Sequence, residues 1–324
     1  MKKGLLFLLS AVLLILTACS SDNEEKTKKV NLGIQQTLSP LWVAKENGWM
    51  EEAFKEIGVE VSWTEFQSGP PQFEGIAAGK LDITEVGNTP PISGQAADID
   101  FKEVAVLSKG LKSNAILVPK ESSIQSVEDL VGKKIAVAKG SSAFGLLYFV
   151  LESSGIDPKK VEIIQLQPDE AQPAFENGTV DAWATWEPFV SNQAVGKGAR
   201  VLVHGGDVNA PNPMFGIART AVVEKNPELI ETYLKVYARA LKWVQENPDE
   251  TVEFFADLKE LDKKVAESVL TSTPYTLEAI SESYIEDQQR SADLLYGLKV
   301  INKEIDTSKI VENKMVEAVL KGAE

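Results

Sequence analysis

Six short segments of the chain set small or helix-capping residues directly after an apolar run, usually with proline close behind. They are Gln35-Gln36-Thr37-Leu38-Ser39-Pro40, Gln67-Ser68-Gly69-Pro70-Pro71, Gly87-Asn88-Thr89-Pro90-Pro91, Lys139-Gly140-Ser141-Ser142, Leu166-Gln167-Pro168-Asp169 and Trp186-Glu187-Pro188. Serine, threonine or asparagine caps a helix start, and proline suits the first turn, where its missing N–H would have no partner. The first backbone N–H groups of a helix lack intrahelical acceptors and carry the positive end of its dipole. One such loop is ordinary capping. Several aimed at one cleft form an anion site without any cationic side chain. Asn88, Thr89, Ser141 and Ser142 would add neutral side-chain donors to it. Trp186, like Trp183, is either core or an aromatic wall for a small ligand. Glu187 either caps its own helix or pairs with a cationic group on the ligand.

Most other chemistry is excluded by counting. The single cysteine, Cys19, rules out an internal disulfide and multi-cysteine metal sites, and the single histidine, His204, rules out a histidine-rich one. No metal or organic cofactor is therefore expected. A Ser-His-Asp hydrolase would have to use His204, which ends a strand beside Gly205-Gly206, and no G-x-S-x-G elbow accompanies it. Gly196-Lys197-Gly198 lacks the third glycine of a dinucleotide fingerprint. Asn177-Gly178-Thr179 reads as a turn. With 33 Lys+Arg against 48 Asp+Glu, a formal net charge of −15 and arginine only at 200, 219, 239 and 290, no basic surface for nucleic acid is visible. An anionic ligand would meet a repulsive long-range field, so its capture must rely on short-range donors. Screening over ~8 Å at physiological salt makes that feasible.

The 324 residues are enough for about two domains of ~150. Short apolar runs alternating with helical stretches predict parallel α/β structure. Strands are expected at Val30–Ile34, Val59–Phe66, Ile83–Val86 and Val104–Leu107 in one block. A second block has Ala115–Val118, Lys134–Val137, Glu162–Leu166, Ala182–Thr185 and Arg200–His204. After Phe215–Thr220 the chain reads as helical: Pro227–Asn247, Asp249–Leu258, Asp262–Thr273, Glu278–Leu298 and Thr307–Leu320. The first block has few strands for a covered sheet, so the tail is expected to cross back to it. Lobe I is then 30–113 with 215–324, lobe II is 114–214, and two crossings make a hinge beside a cleft. The loops above lie at the carboxyl ends of parallel strands, the edge where open α/β sheets bind ligands.

Lys2 and Lys3 precede an apolar run from Leu5 to Leu16, about a dozen residues, a signal h-region rather than a ~20-residue span. It ends in Leu16-Thr17-Ala18-Cys19, which resembles a bacterial lipobox. That resemblance implies cleavage after residue 18, a diacylglycerol on the Cys19 sulfur, and a membrane-tethered extracytoplasmic protein. Residues 19–29 read as a flexible stalk. Without Lys2 and Lys3 the mature part has 31 basic against 48 acidic residues, a net −17.

Five segments resemble the substrate-binding proteins of aliphatic sulfonate and taurine ABC importers, within the wider group that includes thiamine-precursor and nitrate binders. They are Leu32-Gly33-Ile34-Gln35-Gln36, Trp63-Thr64-Glu65-Phe66-Gln67-Ser68-Gly69-Pro70, Val86-Gly87-Asn88-Thr89-Pro90-Pro91, Ala138-Lys139-Gly140-Ser141-Ser142-Ala143 and Ala182-Trp183-Ala184-Thr185-Trp186-Glu187-Pro188. The resemblance implies a two-lobed periplasmic-binding-protein fold of the second type, an α/β fold whose lobes close on the ligand. It also implies ligand binding at Gln35, Gln36, Ser68, Gly69, Pro70, Asn88, Thr89, Ser141, Ser142, Ala143, Trp186 and Glu187. The family often has aspartate where Asn88 and Glu187 stand. The function expected is a lipid-anchored, monomeric binding protein that delivers a small organic sulfonate to an ABC permease. A thiamine-precursor pyrimidine or nitrate is the alternative ligand, and an enzyme of the same fold is the rival class.

Overall fold

The computed structural model describes residues 28–110, 112–210 and 212–322. The expected leader, Cys19 and most of the expected stalk lie outside those residues. Lys28 and Lys29, assigned to the stalk from sequence, instead open the first strand and pair with Val59 and Glu60. Among the described residues no helix is long and apolar enough to cross a membrane.

The strands are β1 Lys28–Gln35, β2 Val59–Phe66, β3 Ile83–Gly87, β4 Phe101–Ser108, β5 Asn114–Val118, β6 Lys134–Val137, β7 Glu162–Gln165, β8 Ala182–Trp186, β9 Arg200–His204, β10 Met214–Arg219 and β11 Tyr275–Glu278. The helices of the first half are α1 Pro40–Glu46, α2 Trp49–Glu56, α3 Gly69–Ala77, α4 Thr89–Ala96, α5 Ser142–Ser153, α6 Pro168–Glu176 and α7 Phe189–Ser191. The rest are α8 Thr220–Lys225, α9 Pro227–Glu246, α10 Pro248–Leu258, α11 Lys263–Ser272, α12 Glu282–Gly297 and α13 Lys314–Lys321.

Two sheets form, one per lobe. The lobe I sheet runs β11-β4-β10-β3-β1-β2 and the lobe II sheet β7-β6-β8-β5-β9. Both are mixed rather than purely parallel: β10 runs antiparallel to β3 and β4, and β5 antiparallel to β8 and β9. β5 and β10 lie where the chain passes between lobes, because a strand that enters from the other lobe arrives without a crossover helix; β11, antiparallel to β4, comes instead from the helical tail. β1 to β3 and β6 to β8 keep the parallel pairing that puts their carboxyl ends on one edge.

Apolar residues on both faces of the strands bury the sheets. In lobe I, Leu32, Ile34 and Ile83 pack against α1, α2 and the apolar stripe of α9, whose Ile230, Tyr233, Leu234 and Tyr237 are fully buried. In lobe II every residue of β5 is buried, and Leu147, Val150, Trp183 and Phe175 complete a separate core. The helical tail departs from expectation in three ways. The helix expected over Thr307–Leu320 is split into a 3-10 turn, Thr307–Ile310, and α13, with Val311 bridged to Glu103 between them. The tail contains a strand, β11, at the edge of the lobe I sheet. Two of its helices also touch lobe II: Ala292 and Leu295 of α12 pack with Ile92 and Ala96 of α4 and with Tyr148 of α5, and Ser268 of α11 lies 2.8 Å from Ser191 Oγ.

The chain crosses between lobes after β4 and before β10, and the crossings are bonded to each other. Asn212 N donates to Gly110 O at 3.2 Å, while Asn212 Nδ2 donates to Asn114 Oδ1 at 2.8 Å and to Ser113 Oγ at 3.2 Å. Gly110 sits at φ +56°, and a Cβ there would overlap the Asn212 carbonyl oxygen. Only glycine fits that crossing.

Candidate ligand-binding site

The loops that follow the parallel strands meet between the lobes around a small cavity of about 30 Å³. Five of the six loops singled out in the sequence bring a residue to its wall: Gln35 and Thr37, Gly69, Gly87 and Pro90, Ser141 and Ser142, and Trp186 and Glu187. Serines precede two of the helix starts that face it, Ser68 before α3 and Ser141 before α5, and Asn88 precedes α4. The Ser141 hydroxyl accepts from Phe144 N at 3.2 Å, so the N–H groups of Ser142 and Ala143 stay uncommitted within the first turn of α5. Gly87 allows the close approach of the lobes here, since a Cβ would come within 2.9 Å of Ser142 Cβ.

No lysine, arginine or histidine lines the cavity among the described residues. Its one carboxyl among the described wall residues is that of Glu187. Glu187 is 4% exposed, and its Oε1 accepts from Ser191 Oγ (2.8 Å) and Ser272 Oγ (2.9 Å) while Oε2 accepts from Ser191 N (3.0 Å). Burial raises its pKa against the pull of those bonds. These bonds tie Glu187 to Ser191 at the end of α7 and to Ser272 of α11, not to the N-cap position of α7. Glu85 lies below the wall, fully buried, and burial pushes its carboxyl up to about 7 against the hydrogen bonds of Ser39 and Thr37. The Tyr275 hydroxyl is raised well above 10, by burial first and then by the Glu85 and Glu187 carboxyls that flank it.

The remaining sequence-predicted residues sit near this cavity in different ways. Gln35 is buried at the end of β1, where its Nε2 donates to Glu85 O at 2.7 Å. Gln36, its neighbour, faces a separate groove with Glu65, Phe189 and Lys259. Ser68 is fully buried and donates across the cleft to Gln167 Oε1 at 2.9 Å; the sixth loop thus supplies a latch rather than a wall. Pro70 stands against Gly140 of the other lobe. Asn88 and Thr89 line an adjoining space of about 20 Å³ together with Ser142 and Asn212. The Ala143 side chain is fully buried in the lobe II core, which leaves only its backbone N–H to serve the site. Trp186 is both wall and core, 7% exposed and edge-on to Phe189 at 5.9 Å.

Sequence reasoning missed Thr37, Gly87, Pro90, Ser113, Asn212, Met214, Thr273 and Tyr275 as wall residues. Thr37, Gly87 and Pro90 lay inside segments already singled out. Asn212 and Ser113 belong to the crossings, which carry no capping pattern. Thr273 and Tyr275 flank Pro274 in the tail, and that proline, followed by Tyr-Thr-Leu, was the available sign of a strand.

Two lobes of this topology, joined at a double crossing with a cavity between them, define a two-lobed binding protein of the periplasmic type. The chain belongs to the family described as NMT1/THI5 like, whose profile matches residues 35–251. It is 48% identical to a Bacillus subtilis (strain 168) protein named "Putative aliphatic sulfonates-binding protein", over 99% of this chain and 97% of that one. Among solved structures it resembles the alkanesulfonate-binding protein SsuA from Xanthomonas axonopodis pv. citri bound to MOPS, with TM-score 0.82 and 29% identity over 88% of this chain and 98% of that one. The periplasmic aliphatic sulphonate binding protein SsuA from Escherichia coli matches with TM-score 0.77 and 31% identity over 88% and 92%.

Proposed function

We propose that the protein is an extracytoplasmic solute-binding protein that captures a small organic sulfonate and delivers it to an ABC importer. The observation that carries this reading is a cavity between two lobes that faces helix N-termini and has no cation in its wall among the described residues. A sulfonate is a monoanion with three acceptor oxygens and no donor. Backbone N–H groups and hydroxyls satisfy such a head at short range, where a chain of this net charge offers no attractive field at long range. Pro90, Met214 and Trp186 give the same cavity an apolar side against which a carbon tail can rest, a side that inorganic sulfate cannot use.

The mechanism we infer is capture in an open cleft, closure that dehydrates the head against the helix starts, and recognition of the closed form by the permease. The division into 30–113 with 215–324 and 114–214, the ligand-contact role of the residues above, a lipid anchor on Cys19 and a monomeric state belong to the same proposal. Titration calorimetry with methanesulfonate, taurine, sulfate, nitrate and a thiamine-precursor pyrimidine tests it. Methanesulfonate or taurine should bind and the others should bind at least tenfold more weakly; binding of the pyrimidine alone would overturn the sulfonate assignment.

A further inference from the structure

Glu85 lies in the middle of β3, fully buried, and no cation among the described residues pairs with its carboxyl. Oε1 accepts from Ser39 Oγ at 2.5 Å and from Thr37 Oγ1 at 3.5 Å, whereas Oε2 has no partner among the described residues. The groups facing it from the packed elements are Tyr233 and Tyr237 of α9 and Tyr275 of β11, all three with hydroxyls held well above 10 by burial, and across the cavity Glu187. Lys45 and Lys259, on α1 and just beyond α10, lie over the Trp42 ring at 4.8 and 3.3 Å to its centroid. Nothing in this set neutralises a carboxylate.

Thr37 connects this carboxyl to the cavity, since it lines the wall and also reaches Glu85. A threonine hydroxyl has one proton to donate. Toward a carboxylate it must spend that proton inward and present only lone pairs to the cavity, which an anion avoids. A carboxyl protonated on the unpartnered Oε2 leaves Oε1 a much weaker acceptor, still served by Ser39 at the shorter distance, so the Thr37 hydrogen is no longer held inward and can turn to the cavity.

We propose that Glu85 is a positioning residue for anion capture: bearing a proton it frees the Thr37 hydroxyl to donate to the ligand, and bearing a charge it withdraws that donor and repels the ligand. This rests on the reading of the cavity as an anion site. The proton comes from solvent, so binding at pH values where free Glu85 is ionised takes up one proton. The affinity is then highest at low pH and falls as pH rises through the Glu85 titration.

The test is calorimetric titration of the full chain with methanesulfonate at pH 6 and pH 8, on the wild type and on Glu85→Gln, together with carboxyl ¹³C NMR of both. For a group titrating near 7 the wild type should bind about tenfold more weakly at pH 8 than at pH 6. Glu85→Gln, neutral at both, should bind equally well at both. A wild-type affinity that does not change with pH overturns the proposal, and so does a pH dependence that survives in Glu85→Gln, which would assign it to Glu187 or another group. If no sulfonate bound at either pH, the functional reading would fall and the NMR arm would decide Glu85 alone. A resonance with its midpoint near 7 that is lost in Glu85→Gln sustains the proton on Glu85, and a midpoint below about 5 refutes it.

Discussion

α3 and α4 of lobe I and α5 of lobe II present their helix starts to the cavity in opposite ways. In lobe I, α3 opens Gly69-Pro70-Pro71 and α4 opens Thr89-Pro90-Pro91, so prolines remove two of the first three N–H donors from each helix. In lobe II, α5 opens Ser142-Ala143-Phe144 with no proline, and Ser141 caps only Phe144. Lobe I thus contributes stiff walls, a hydroxyl from Thr37 and an amide from Gln35, while α5 of lobe II contributes the free main-chain donors. A pattern of capping residues followed by proline signals a helix start at the cleft, yet the proline that makes the start legible also silences its donors. The lobes differ inside as well. Lobe I buries two carboxyls within its sheet, Glu85 and Glu103, whereas the lobe II sheet buries none.

The largest effect expected from this contrast is on affinity. Ser142→Pro deletes one donor from α5 at a position that tolerates proline sterically. A hydrogen bond to a charged group contributes about 1.5–3 kcal/mol, so sulfonate binding should weaken tenfold or more with little change in Tm. Pro90→Ala in lobe I should weaken it by less, about threefold. Equal losses, read by calorimetry, would break the contrast.

A second difference is in stability against pH. Glu103 on β4 accepts from Gln288 Nε2 at 2.6 Å, and burial pushes its carboxyl up to about 8 in spite of that bond. Its folded value exceeds the unfolded one, so the folded state holds the proton more tightly. The corresponding stability is present in full below about 4.5 and is lost as pH rises toward 8. Glu103→Gln should therefore raise Tm at pH 8 by several degrees and leave it almost unchanged at pH 5. Scanning calorimetry that found the same shift at both pH values would remove the titration from the explanation.

The smallest effect concerns the rim. Gln67 Nε2 donates to Asp169 Oδ2 at 2.9 Å and Ser68 Oγ to Gln167 Oε1 at 2.9 Å, both across the cleft. Gln167→Ala removes one latch without touching the wall, and affinity should fall about two- to threefold through a faster dissociation rate. An unchanged rate, measured by stopped flow, would mean that closure is set by the cavity and the hinge instead.

Much of this was legible in the residues. The nine strands expected from the sequence all form, from β5, a continuous apolar run buried on both faces, to β2, an edge strand that is only partly buried. What escaped was set by tertiary pairing. β11 is a four-residue strand that exists because β4 has a free edge to receive it, and of its own residues only Leu277 is buried. Asn212 belongs to the site because two crossings lie side by side, which no local pattern encodes. Ala143 shows the converse limit. Its segment was rightly placed, but in a helix start the side chain and the N–H point to different surroundings, and sequence does not separate them.

The most direct measurement is a crystal structure of the full chain with methanesulfonate. The sulfonate should lie between the two sheets with an oxygen about 2.7–3.2 Å from Ser142 N, another on the Thr37 hydroxyl, and the methyl group toward Trp186 and Met214. A sulfonate gripped by a lysine or arginine side chain, or seated outside the space enclosed by Gln35, Gly69, Ser142 and Trp186, would contradict the account.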